Sequence, residues 1–554
     1  MLKQFDSFAE TYANFAWYIP EHFNIGHDIC DKWADRFPER TAILDVKAIH
    51  DVREISFAEL KARSNRLANA LRRRGVACAA GGIGDRVGVL LPQRVETAAA
   101  HIAIAKLGCI SIPLFTLFGV EALLHRLKDS GAKGVITDRT GVGKILPLLA
   151  QLPELKVIMS VDGAEGPAED FDVACMAEDD RFEPVATRAE DPAILIYTSG
   201  TTGNPKGALH AHRVLLGHLP GVEISHDFFP QPGDRIWTPA DWAWIGGLLD
   251  VLMPALHHGV TVVAQRFQKF SAADAFELMT SLQVRNAFLP PTALKMMKIE
   301  SEKLGLTAPM RSVASGGEAL GAELLDWGRK AFGVSINEFY GQTECNMIVS
   351  SCAALEAPVP GVMGRPVPGH VVDVIDPQTG EPRPDGAEGT IAVLSPDPVM
   401  FLEYWNNRDA TDAKFVSGPA GSWLVTGDRG QRDGEGRIRF VGRDDDVINS
   451  AGYRIGPAEI ESCLLGHPAV RNAGVVGKPD SLRGEVVTAF VVPGDQYEPS
   501  RELADDIAAF VKSRLAAHEY PRDVRFIAEL PVTTTGKIIR NRLREILRDE
   551  AAGT

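Results

Sequence analysis

The sequence predicts an α/β protein. A large N-terminal domain of layered α/β subdomains plus a small β-barrel or sandwich is followed by a small α+β C-terminal domain. Three observations predict this. Short apolar runs alternate with amphipathic stretches between residues 193 and 340, as in a layered body with parallel strands. Between residues 358 and 440 the texture changes to short alternating strands with Gly and Pro turns, as in VVDVIDPQTGEPRPDGAEGTIAVL, which suits a barrel or sandwich. A charged break at 442–446 (GRDDD) then precedes a compact tail.

Residues 193–197 (AILIY) and 260–264 (VTVVA) read as buried strands, with an apolar helix over 245–256 between them. Ser271 is positioned to N-cap a helix over 272–282, and 284–289 returns to strand. The alternation continues through 311–314, 320–332 and 336–340, and residues 57–155 have the pattern of a second sheet. In the tail, Pro457 opens a helix to 465, strands follow at 470–476 and 486–492, and Ser500 caps 501–515. A strand at 524–530 precedes the terminal helix. The expected domains are 1–443 and 444–554.

With 554 residues the chain is too long for one core. Its 45% apolar and 24% charged residues are ordinary for a globular protein. A net charge of −15 argues against a nucleic-acid partner and requires local cations for any anionic substrate. No window has the length of a membrane span, and the first thirty residues lack a secretory signal. A cytoplasmic enzyme is expected, with monomer and homodimer both open. The seven cysteines make no C-x-x-C pair or zinc spacing, and Cys345 reads as packing rather than chemistry. His210 with His212, and His257 with His258, are weak metal signals that read as packed or solvated. Hydrolase and dinucleotide motifs are missing.

The sharpest signal is TSGTTGNPKG at 198–207, directly after a strand. Glycines expose backbone N–H groups, hydroxyls donate, and Lys206 adds charge, so the loop suits a phosphate. Its spacing is not that of a GxxxxGK[ST] P-loop. Four further segments accompany it: YGQTE at 340–344, TGD at 426–428, GRDDDVINSAGYRIGPAEIE at 442–461, and PVTTTGKIIRNRLR at 531–544.

In these five motifs, and from about residue 20 to 548, the chain resembles the acyl-adenylate-forming superfamily, and within it the medium-chain acyl-CoA synthetases. The resemblance implies a two-step ligase. A carboxylic acid and ATP give acyl-adenylate and pyrophosphate, and coenzyme A then gives the thioester and AMP. Thr198, Ser199, Gly200, Thr201, Thr202, Gly203, Asn204, Pro205 and Lys206 are similar to the loop that handles the β- and γ-phosphates. Ser315, Gly316, Gly317 and Glu318, with Glu338, Phe339, Tyr340, Gly341, Gln342 and Thr343, resemble the segments lining adenine and the α-phosphate. Tyr340 would stack on the base. Glu344 would hold Mg²⁺, a hard cation that takes one or two carboxylates beside phosphates.

Asp428 resembles the acid that meets both ribose hydroxyls, since two carboxylate oxygens match a cis-diol, and Arg443 would bind the same region. Lys537 is the expected catalytic cation of the first half-reaction, offsetting the repulsion between carboxylate and α-phosphate. Its loop, 533–536, reads as flexible, and Arg540, Arg542 and Arg544 read as solvated helix charges. The resemblance also implies a mobile C-terminal domain with its hinge at Asp445. Ala451, Gly452 and Tyr453 would follow the pantetheine arm of CoA, and Arg454 would face the adenylate. Arg483, Lys512, Tyr520, Pro521 and Arg522 would contact the CoA nucleotide. Two departures stand out, an extra acid at Asp444 and Asn449 where many relatives carry lysine.

For the acyl pocket the candidate is DWAWIGG at 241–247, with Trp242, Trp244, Ile245 and Gly246 forming an apolar wall. No fixed charge there awaits a substrate amine or second carboxylate, which favours a short- to medium-chain fatty acid or a related apolar acid. Delivery to a carrier protein, action on an aromatic or amino acid, and a non-catalytic nucleotide sensor remain as alternatives.

Overall fold

The computed structural model describes residues 2–78, 82–198, 205–267, 269–318, 320–443, 446, 448–450, 453–480, 483–515, 520–533 and 536–551. Two large sheets build the body. The nine-stranded sheet runs, from edge to edge, through Arg365–Pro366, Cys345–Ser350, Ile336–Gln342, Ser312–Gly316, Asn286–Phe288, Arg235–Trp237, Thr261–Ala264, Thr41–Ala48 and Asp51–Ser56. Its six central strands are parallel and the outer ones antiparallel.

The eight-stranded sheet is built on Arg86–Leu90, Ile110–Pro113, Gly134–Thr137 and Val157–Ser160. Pro192–Thr198 joins it through Ser111↔Ile194, and Lys206–Ala211 and Glu403–Tyr404 add antiparallel to its edge. This corrects one expectation. The strand at 193–197 belongs with the earlier segment and not with the strands at 260–340. The apolar run itself carries no record of which sheet it enters; the hairpin with Lys206–Ala211 and the pairing with Ile110–Pro113 decide it.

Local signals were otherwise reliable. Ser271 Oγ accepts from Asp274 N and starts Ala272–Ser281, and Ser500 does the same at Leu503 N for Arg501–Lys512. Gly333, at φ +75, ends Ala322–Phe332. The helix expected over 245–256 is three consecutive pieces, Ile245–Gly247, a π-helical Leu248–Leu252, and Met253–His257. One core cluster unites Ile194 and Ile196 of one sheet with Ile43 and Val262 of the other, through Val214–Ser225 and this helical run. That is the layered body.

The barrel-like region forms a five-stranded antiparallel sheet from Val372–Ile375 to Ile438–Arg443. The tail forms another five-stranded sheet, flanked by Pro457–Leu465, Arg501–Lys512 and Arg540–Ala551, with its own core around Ile460, Val475, Ala489 and Ile507. It touches the large body closely. A Cβ built on Gly321 would lie 2.9 Å from Ser462 Oγ, and one on Gly536 would lie 3.0 Å from Thr292 Oγ1. Among the described residues no helix is long and apolar enough to cross a membrane.

All seven cysteines are free thiols, and burial pushes the Cys345 thiol far up. His257 pairs with Asp28 and His258 with Glu223, while His210 and His212 are fully buried. Burial holds several histidines neutral: His101, His210, His212 and His226 are pushed down to about 3 and His218 to about 4. An unfolded histidine takes up its proton below about pH 6.5. Their contribution to stability is therefore complete above pH 6.5 and is lost as pH falls toward 4, by about 1.4 kcal/mol per pH unit per histidine. Glu338, pushed up to about 8, and Asp241, up to about 6, act in the opposite sense. Burial also raises Asp250, Asp428 and Glu461, so the histidine share is read as a difference: between pH 6.5 and 4.5 the urea midpoint of His101→Leu should fall less, or rise more, than that of wild type. Equal change of the two midpoints over that interval would refute the argument.

Candidate active site

The strand Ile336–Gln342 turns at Thr343 and Glu344 into Cys345–Ser350, so YGQTE forms the tip of a hairpin. The neighbouring parallel strand ends at Gly316, opposite Phe339. A Cβ on Gly316 would lie 2.6 Å from the Phe339 ring, and Gly317 has φ +99, so no side chain fits either position easily. Beside them Glu338 is buried, its carboxyl pushed up to about 8 by burial against one backbone donor, Leu320 N at 3.3 Å. Glu318 is half-buried and faces Lys295 at 3.6 Å.

Asp428 gathers much of what the sequence predicted. Tyr340 Oη and Gln342 Nε2 both donate to its Oδ2 at 2.6 Å. Arg443, its cross-strand partner, lies 3.4 Å from Oδ1, and Oδ1 accepts no hydrogen bond among the described residues. Burial lifts this carboxyl above the usual range, and Arg443, Tyr340, Gln342 and Lys537 draw it back. Lys537 thus reaches the same place from the small domain. A Cβ on Gly317 would lie 3.9 Å from its Cε.

Next to the lysine, Thr533 N donates to Lys537 O at 2.7 Å and Val532 bridges Ile538, while Thr534 and Thr535 of the loop expected to be flexible lie outside the described residues. Gly536, at φ +86, makes the bend. Two of the neighbouring arginines are not the solvated charges expected. Arg540 meets Glu461 at 2.7 Å and Asp446 at 3.2 Å, and Arg544 meets Asp446 at 2.7 Å. Both are drawn inward because the fold buries acids beside them. Arg542 stays exposed and pairs with Glu545.

Of the phosphate loop, Thr198, Pro205 and Lys206 are described; Ser199, Gly200, Thr201, Thr202, Gly203 and Asn204 lie outside the described residues. Thr198 and Lys206 face each other across the hairpin. The His125 ring nitrogen lies 2.9 Å from Pro205 O. The sequence reading missed Tyr404. Its hydroxyl donates to Glu344 Oε1, and its ring lies 5.2 Å below Lys206 Nζ. One buried side chain therefore touches two expected site residues. No spacing rule marks it, because it approaches Glu344 from a strand sixty positions away.

In the candidate acyl wall, Trp242 is fully buried, whereas Trp244, Ile245 and Gly246 are half-buried. Trp244 packs against Phe115 and Phe118 at 5.6 and 5.8 Å between ring centroids. In the small domain, Lys512 Nζ and Arg522 lie 5.1 and 4.9 Å over the Tyr520 ring, beside buried Pro521. Gly484 pairs with Ser450, which brings exposed Arg483 next to the hairpin of Ile448–Ser450 and Tyr453–Ile455. Asp445, Ala451 and Gly452 lie outside the described residues, and of Tyr453 and Arg454 only the strand is described.

Residues 30–405 match the AMP-binding enzyme family and residues 459–537 the AMP-binding enzyme C-terminal domain. The chain is 33% identical to acetyl-coenzyme A synthetase of Bacillus subtilis (strain 168), over 97% of this chain and 94% of that protein. It is 34% identical to the mitochondrial acyl-coenzyme A synthetase ACSM4 of Homo sapiens, over 95% and 91%. Among solved structures, the anthranilate CoA ligase AuaEII in complex with anthranoyl-AMP superposes with a TM-score of 0.87 at 28% identity, covering 96% and 99%. ATP-bound MatB from Rhodopseudomonas palustris superposes with 0.82 at 28%, covering 95% and 99%.

Tyr404→Phe keeps the ring under Lys206 and removes the donor to Glu344. A hydrogen bond to a charged group contributes about 1.5–3 kcal/mol, so kcat/KM for ATP should fall roughly tenfold to a hundredfold, with KM for the acid little changed. Tyr404→Leu should lose more. Wild-type values for Tyr404→Phe would show that Glu344 does not depend on this contact.

Proposed function

The chain belongs to the AMP-binding enzyme family and is an AMP-forming acyl-CoA synthetase with ATP and CoA as substrates, and on that premise we propose that its acid is a short- to medium-chain fatty acid or a related apolar acid. The observation that carries this reading is the convergence of Lys537 on Gly317 and Asp428 beside a half-buried apolar wall.

In the proposed first step a carboxylate oxygen of the acid attacks the α-phosphorus of ATP and pyrophosphate leaves. The adenine stacks on Tyr340, and the ribose hydroxyls meet Asp428, whose buried Oδ1 has no hydrogen bond among the described residues. Residues 198–206 bind the β- and γ-phosphates, with Lys206 supplying charge. Lys537 lowers the repulsion between the two anions and stabilises the charge that develops. Glu344 suits Mg²⁺: it is one buried carboxylate held by Tyr404. No group of three or more metal-ligating side chains occurs among the described residues, so phosphate oxygens and water would complete the shell. When bound, the cation neutralises phosphate charge and orients the oxygens.

In the second step the CoA sulfur attacks the acyl carbon and AMP leaves. We assign domains 1–443 and 444–554 with a hinge near Asp445, and CoA contacts to Ala451, Gly452, Tyr453, Arg454, Arg483, Lys512, Tyr520, Pro521 and Arg522. The Tyr520 ring between two cations supports the nucleotide end of that assignment. A cytoplasmic location is part of the proposal. A second reading, an aromatic acid, is favoured by the ring cluster of Phe115, Phe118 and Trp244.

Acid-dependent exchange of pyrophosphate into ATP, with straight-chain, branched and aromatic acids, tests the substrate reading. Medium straight-chain acids should give the highest kcat/KM, and a maximum with aromatic acids would establish the second reading. Lys537→Ala should lower adenylate formation by on the order of 10² to 10³, while thioester formation from supplied acyl-adenylate and CoA stays within about threefold of wild type, well under the tenfold that 1.4 kcal/mol represents. Equal loss of both half-reactions would overturn the role given to Lys537.

A further inference from the structure

Behind the apolar wall the chain buries a carboxyl that no cation balances. Asp250 stands on the π-helical turn Leu248–Leu252, with its side chain 3% exposed. Such turns recur at functional sites. Its Oδ1 accepts from Asn346 Nδ2 at 2.7 Å, and His218 Nε2 lies 3.9 Å away. No Lys or Arg pairs with Asp250, and no hydrogen bond reaches Oδ2, among the described residues. Burying a carboxyl behind a single protein donor costs free energy that a native fold seldom tolerates without reason.

The position of Oδ2 supplies a reason. A Cβ built on Gly246 would lie 3.6 Å from it and 2.9 Å from Phe288 Cε1. Asn346, which orients Asp250, stands next to the adenylate hairpin, since a Cβ on Gly341 would lie 2.6 Å from Asn346 Oδ1. Phe288 packs on Phe339 at 5.2 Å, and a Cβ on Gly316 would strike Phe339. Gly246 of the apolar wall thus borders both Phe288 and Asp250, and the region is apolar on the Phe288–Phe339 side and polar at Asp250.

We propose that Asp250, oriented by Asn346, is a specificity-determining residue whose Oδ2 hydrogen-bonds a hydroxyl at the far end of the substrate acid. The class of substrate is then an acid that is apolar along its length and hydroxylated near its end. This rests on the acyl pocket assigned above. A hydroxyl fits better than an amine or a second carboxylate. Burial raises the Asp250 carboxyl and so disfavours charge there, and a second buried charge from an ammonium would add to that desolvation cost, while among the described residues no neighbouring cation serves a carboxylate. A hydroxyl both donates and accepts, so it satisfies Oδ2 with or without its proton.

The test uses butanoate, hexanoate and octanoate beside their terminally hydroxylated counterparts, in pyrophosphate exchange and in full thioester synthesis. For at least one chain length, wild type should prefer the hydroxylated acid by roughly tenfold to a hundredfold in kcat/KM. Asp250→Leu should abolish or reverse that preference while turnover of the unsubstituted acid persists. Asp250→Asn, which keeps a donor and an acceptor, should retain most of it. A packing role alone would lower both acids of a pair equally in Asp250→Leu, and that result overturns the proposal. If Asp250→Leu does not fold, the wild-type ratios decide. Turnover of unsubstituted acids with no hydroxyl preference refutes this inference and leaves the apolar-acid reading standing. Failure of every acid in the panel refutes both.

Discussion

Burying Asp428 lifts its carboxyl above the usual range, and the groups around it oppose that lift: Tyr340 and Gln342 donate to one oxygen, while Arg443 and Lys537 bring positive charge. The four partners come from separate places. Tyr340 and Gln342 lie on an outer part of the nine-stranded sheet, Arg443 ends the small antiparallel sheet, and Lys537 arrives from the tail. A single buried carboxylate therefore ties the hairpin of the nine-stranded sheet to the small antiparallel sheet, because separating Tyr340, Gln342 or Arg443 from it would leave charge or donors uncompensated in a low-dielectric setting, while exposed Lys537 adds positive charge from the small domain. Its second oxygen, 3.4 Å from Arg443, has no hydrogen bond among the described residues, which leaves one acceptor for a ligand at the junction.

The same economy recurs in the body. Tyr404 serves Glu344 with its hydroxyl and Lys206 with its ring, which couples the short strand at 403–404 to the tip of the YGQTE hairpin. Asp446 is held by Arg540 and Arg544, so the segment entering the small domain is fastened to the helix that follows Lys537. Glycines act by omission. At 316 and 341 a Cβ would strike neighbours, and at 317 and 536 the backbone itself needs a positive φ. Their lack of side chains lets the adenylate hairpin, its neighbouring strand and the turn before Lys537 pack this closely.

Reading from residue to structure worked best where the signal is local. Serine caps at 271 and 500, the helix opened by Pro457 and the paired strands of the tail all appear as their residues imply, since a cap or an apolar period depends on a few adjacent positions. Sheet membership of 193–197 was not legible, because parallel pairing joins segments distant in the chain and any apolar strand can enter either sheet. Arg540 and Arg544 were misread for a related reason. A helix charge looks solvated until the fold sets an acid beside it.

Five motifs in order carried the resemblance to the acyl-adenylate-forming superfamily, and that resemblance implied the kind of enzyme, its nucleotide and thiol substrates, and a large and a small domain. Those features are written in short segments whose residue types are chemically constrained at each position. Only tertiary structure decided that Tyr404 supports Glu344, that Asp428 joins Tyr340 and Gln342 to Arg443 across two sheets, and that Asp250 and Asn346 stand behind Gly246. Each of these is a contact between positions dozens to hundreds of residues apart. No local period or propensity encodes such a meeting; it exists only once the sheets have chosen their neighbours and buried polar groups have found partners.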